Sequence, residues 1–147
     1  MTKGIKELKN IEEQINRHLY SICAVFTVFV MIMTLVEFFS RGFFYPARIE
    51  LLYLGILVIY ALHKEIVRWL GHRENERQGE YFVYVWIGIS LLLYVVNFIS
   101  RDYFRFGIYG ESLTILRDVS MLTLQILAIF ILTRGLKILR IYLAKRQ

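Results

Sequence analysis

Four apolar runs of close to 20 residues, separated by short charged stretches, leave this chain few ways to fold. A bilayer core about 30 Å thick is crossed by about 20 helical residues at about 1.5 Å each. Inside it the backbone finds no water to bond, so only helices and closed barrels can span it. A barrel needs alternating apolar and polar positions over runs of about ten residues, and this chain has none. Once the runs are set aside, 147 residues that are 57% hydrophobic leave too little for a soluble domain. That excludes a water-exposed catalytic domain, a zinc-finger array and a disulfide scaffold.

The runs predict an all-α membrane protein forming one integral domain, with spans at about 19–39, 49–70, 81–99 and 114–134. Residues 1–18 form an amphipathic tail and 135–147 a basic one. Span 2 is purely apolar or aromatic only over 51–62, so Lys64 and Arg68 are expected to reach down to the headgroups. The first run starts at residue 19 and lacks a small-x-small cleavage site, so span 1 is expected to be retained rather than cleaved as a signal peptide. Aromatic residues mark the interfaces, with Phe43, Phe44, Tyr103, Phe104 and Tyr109 near one and Trp69, Tyr81, Tyr84 and Trp86 near the other.

Lys and Arg give the orientation. Thirteen fall in the first tail, the 63–80 connection and the last tail, against five in the 40–48 and 100–118 connections. By the positive-inside rule both termini lie in the cytoplasm, in the cell membrane. The net charge of +6 invites a nucleic-acid reading, but the basic residues sit at span ends rather than on one continuous face, so no nucleic-acid partner is expected.

Residues 35–44 read LVEFFSRGFF and 95–104 read VVNFISRDYF, identical at five of ten positions. Spans 2 and 4 align more weakly at a shift of 70. The reading is two tandem helical hairpins related by a pseudo-twofold axis along the membrane normal.

Polar groups within the spans are the candidate functional residues. Glu37 precedes Arg41 by one helical turn, spacing that suits an ion pair, and the repeat places Asn97 and Arg101 at the matching positions. Together with Gln125 they form the candidate polar intramembrane site. Thr27, Thr34, Ser90 and Thr123 are expected to bond between helices, while Gly55 and Gly88 would allow close helix approach. Cys23, in an apolar run with no second cysteine, is expected to pack as a small hydrophobe. His18 and His63 lie near the inner ends of spans 1 and 2, where a bis-histidine haem or metal site can be imagined. With no CxxC, HExxH or carboxylate cluster, no cofactor or metal is expected. No nucleophile motif or phosphate loop is present either, so no enzyme activity is expected.

The first tail carries Ile5, Leu8 and Ile15 on one stripe of a charged helix, a candidate surface for a partner. The leading expectation is a non-catalytic assembly component whose partners are the bilayer and either further copies of itself or another membrane protein. The rival expectation is a small transporter or channel subunit with a pathway near Glu37 and Asn97. Haem or metal binding is a weaker third. The orientation is directly testable: in intact cells an impermeant thiol reagent is expected to label Glu111→Cys and to leave Lys6→Cys and Lys145→Cys unlabelled.

Overall fold

The computed structural model describes residues 2–44, 49–69 and 80–144, and of residues 2–9, 12, 13, 68, 140 and 144 the backbone alone. The fold is all-helical, with 85% of residues in helix and no strands among those described. Four helices follow in order: α1 Thr2–Ser40, α2 Glu50–Trp69, α3 Glu80–Ile99 and α4 Ile115–Ala144. A single 3-10 turn, Tyr103–Arg105, stands between α3 and α4. α1 runs unbroken for 39 residues and α4 for 30, so each helix carries on through the described residues of its tail.

Three segments are long and apolar enough to cross a membrane, namely Gln14–Ser40, Glu80–Ile99 and Ile115–Leu143. The chain thus has the makings of a multi-pass membrane protein. α2 has the length of a span but carries Glu50, Lys64, Glu65 and Arg68.

Each helix turns one seam inward, with buried positions three and four residues apart. In α1 these are Cys23, Thr27, Val30, Thr34 and Phe38, and in α2 Tyr53, Leu57, Tyr60, Lys64 and Val67. α3 contributes Val83, Trp86, Ser90, Leu93 and Asn97, and α4 Ile115, Val119, Leu122 and Ile126. This is the spacing that keeps a helical stripe against its neighbours over several turns. α1 packs on α2, α3 on α4, and α2 on α4.

The helices are not level. Counting down α1 and up α2, Thr27 bonds Tyr53, Cys23 Sγ lies 3.8 Å from the Ile56 carbonyl, and the Tyr20 and Tyr60 rings are 6.3 Å apart. Tyr53, in the first turn of α2, therefore sits thirteen residues before the end of α1, roughly 20 Å short of it at about 1.5 Å per residue. At the end bearing the 41–49 and 100–114 connections, here the loop end, the core consists of Phe38, Leu93, Ile115 and Val119, from three helices without α2. Phe104 fills in, stacked on Phe38 with centroids 4.7 Å apart.

Three polar side chains close the middle of the bundle. Tyr53 Oη accepts from Trp86 Nε1 at 2.9 Å and lies 3.0 Å from Thr27 Oγ1, tying α1, α2 and α3 at one point. Trp86 is fully buried there, so its expected place at an interface is also corrected. Ser90 and Thr123 meet at 2.6 Å and tie α3 to α4. Gly55 and Gly88 do not serve close approach within the chain: both are exposed, with open space where a Cβ would stand.

Tyr53→Phe removes the acceptor of the Trp86 indole and leaves a buried N–H unpaired, a loss of about 1–3 kcal/mol. Thermal unfolding of the purified chain is expected to show that loss, with the helix content of the folded state unchanged.

Candidate functional site

At the loop end, residues 35–44 and 95–104 terminate α1 and α3. At the end of α1, Gly42 N–H donates to Glu37 C=O and Arg41 N–H to Phe38 C=O. At the end of α3, Asp102 N–H donates to Asn97 C=O and Arg101 N–H to Phe98 C=O. These are the paired bonds of a Schellman cap, in which the residue after the helix turns left-handed. Arg41 and Arg101 both have φ of 54°. Ser40 and Ser100 each donate back to the third carbonyl before them, Glu37 at 3.1 Å and Asn97 at 3.0 Å. The two segments thus end their helices through the same bonds, residue for residue. Gly42 differs from its counterpart Asp102 because Leu113 lies against it: a Cβ there would stand 2.8 Å from Leu113 Cδ2.

The cap directs the side chains differently from the sequence expectation. Arg41 has left the helix, so it makes no ion pair with Glu37 among the described residues. It donates instead to the Phe106 carbonyl at 2.9 Å through Nε and to the Gly107 carbonyl at 3.0 Å through Nη2, with its guanidinium 4.1 Å above the Tyr103 ring. It is the strut holding the 100–114 connection, which closes into a small hairpin through Leu113 N–H to Arg105 C=O and Gly107 N–H to Glu111 C=O. Arg101, at the matching position, is exposed.

Asn97 is buried, and its Nδ2 donates to Asp102 Oδ1 at 2.7 Å. Glu37 is half-buried, and the charges that bear on it are the carboxylates of Glu50 and Asp118. An open groove of about 490 Å³ at the loop end is lined by Tyr94, Asn97, Asp102, Arg105, Thr114 and Arg117 among others. Glu37 is not part of its lining, so Glu37 and Asn97 do not share it. Gln125, the fifth residue of the expected site, lies elsewhere, exposed on the outside of α4. Its position on the helix, one residue before buried Ile126, turns it outward.

A second polar region lies at the opposite end. Lys64 and Glu65 are both buried, and the ammonium of Lys64 sits 5.9 Å from the centre of the Tyr60 ring. The expectation that Lys64 reaches out to headgroups is therefore corrected. Its place on the seam Tyr53, Leu57, Tyr60, Lys64 is the signal that would have shown it. Glu80 and Arg134 form an ion pair joining α3 to α4, with Arg134 also over the Phe130 ring. Between these groups is a cavity of about 60 Å³ lined in part by Tyr60, Lys64, Glu65, Thr133 and Arg134. The mutual attraction of charges offsets the cost of taking them from water only when they are well paired, which explains why they gather at the end of the bundle rather than at its middle.

The proposed partner stripe is described only in part. Ile15 is exposed, as is Ile11, while the side chains of Ile5 and Leu8 lie outside the described residues. His18 is exposed and His63 partly buried, and His72 lies outside the described residues. No group of three or more metal-ligating side chains occurs among the described residues.

The matched caps make opposite predictions for one substitution. Arg101→Gly relieves a left-handed residue with an exposed side chain and is expected to stabilise by about 0.5–1 kcal/mol. Arg41→Gly relieves the same backbone but loses two hydrogen bonds and the Tyr103 contact, and is expected to destabilise. Unfolding midpoints of the two variants should move in opposite directions, with faster amide exchange over 103–113 in Arg41→Gly alone.

Comparison with known proteins finds no matching family model, no matching curated protein and no matching solved structure.

Proposed function

We propose that this chain is a non-catalytic membrane component that works by assembling with further copies of itself or with a partner membrane protein. In this reading α2 joins the three apolar helices as a fourth span, giving two tandem hairpins with both termini cytoplasmic in the cell membrane. The matched caps of α1 and α3 support the tandem arrangement.

The observation that carries the assembly reading is how the polar groups at mid-depth are used. Thr27, Tyr53, Trp86, Ser90 and Thr123 are spent on bonds between the chain's own helices. Thr34 donates to its own helix, to the Val30 carbonyl at 2.9 Å. Around them Val30, Leu57, Val83, Leu122 and Ile126 form a continuous apolar core. A bundle closed in this way favours interaction through its outer faces over passage through its middle. The transporter reading draws on the cavity beside Lys64, which reaches Leu57, Val83 and Ile126 of that core, and on the loop-end groove, whose lining includes none of the core residues.

Reconstitution of the full chain into lipid vesicles separates the two. Assembly predicts ion and small-solute leakage no faster than from protein-free vesicles, with more than one labelled subunit per particle. A protein-dependent flux that Glu37→Gln abolishes would establish transport instead.

A further inference from the structure

Sorting the membrane-facing positions by helix leaves one anomaly. The outward residues of α1 are apolar (Val25, Val28, Phe29, Ile32, Val36), as are those of α2 (Leu51, Leu52, Val58, Ile59, Leu62). α3 turns out Val85, Leu91, Leu92 and Val95, and the hydroxyl of its exposed Tyr94 is taken up by Ser120 at 2.7 Å. α4 alone presents a polar side chain at mid-depth with no hydrogen-bond partner among the described residues: Gln125, next to Ile126 of the central core. An amide facing lipid has neither water nor lipid tails to bond, and it is left costly until another protein group meets it.

Gln125 also lies on a seam. Met121, Gln125, Ala128, Leu132 and Gly135 follow one another at steps of four, three, four and three, and all five are exposed. That is the spacing by which one helix lies along another. Ala128 is small, and a Cβ at Gly135 would meet nothing within 4 Å, so a second backbone can come close there.

We propose that this face of α4 binds the same face of a second copy of the chain, with the two Gln125 amides bonded to each other across a twofold axis along the membrane normal. The argument for a second copy is depth. Copies inserted in the same orientation carry Gln125 at the same level, so the twofold brings each amide to its counterpart. A carboxamide both donates and accepts, so it is complementary to itself. The proposal rests on the assembly reading and gives it a surface and a partner.

The test uses the full chain in phospholipid vesicles. Oxidation of Gln125→Cys is expected to give a covalent dimer in high yield. Phe29→Cys and Leu92→Cys, outward on α1 and α3, are expected to give little, and Cys23 is buried and out of reach. Gln125→Leu, a change on the outside that leaves the core intact, should weaken dimerisation roughly 3- to 30-fold on lipid dilution, the range of one interhelical polar contact. Gln125→Asn should restore part of the loss, and Leu92→Ala should change nothing. Equal cross-linking at all three cysteines, or undiminished dimerisation of Gln125→Leu, would overturn this interface while leaving assembly standing. A chain that stays monomeric at every protein-to-lipid ratio would overturn both.

Discussion

A hydroxyl buried in an apolar bundle must find its partners inside it, and the Tyr53 hydroxyl does so by joining three helices at one point. It accepts from the Trp86 indole and shares a hydrogen bond with Thr27, whose own hydroxyl donates to the Cys23 carbonyl at 2.7 Å. In water each of these bonds contributes modestly because the solvent offers an equal alternative; in lipid the alternative is missing. The rest of the arrangement follows from that junction. It sets α2 against the middle of α1, and it places Trp86 in the core rather than at an interface.

Setting α2 at that height has a consequence at each end. At the loop end three helices remain, and the space is closed by Phe104 and by the 100–114 connection, which Arg41 holds through two carbonyls and the Tyr103 ring. At the other end α2 carries Lys64 and Glu65 inside the bundle beside the Glu80–Arg134 pair. The charges of the chain are thus displaced to the two ends, and the middle is held by neutral hydrogen bonds within an apolar core. Gln125 is the exception, neutral but turned outward.

Much of this was legible in the residues. Hydropathy and helical length were enough for an all-helical membrane-type chain, and the pair LVEFFSRGFF and VVNFISRDYF pointed to two equivalent helix ends. Ser90 and Thr123, read as contacts between helices, are within bonding distance. What escaped was phase and height. The i, i+4 spacing of Glu37 and Arg41 suits an ion pair only in a helix that continues through Arg41, and the left-handed cap ends it first. The charge of Lys64 points outward, but its place in the 4-3 seam with Tyr53, Leu57 and Tyr60 decides its burial. Tyr53 lies within an apolar run, and nothing in a linear pattern says which tyrosine hydroxyl will meet a tryptophan from another helix.

The central claim is a closed centre, with the inward-facing polar side chains at mid-depth bonded within the bundle. The two tryptophans allow this to be read in one spectrum of the chain in bilayers, because Trp86 is fully buried with its N–H on Tyr53 while Trp69 is half exposed. Exchange of the indole N–H groups with deuterated water is the direct measurement. The account predicts a Trp86 indole protected far beyond that of Trp69; equal, rapid exchange of both would mean that water reaches the middle of the bundle and would contradict it.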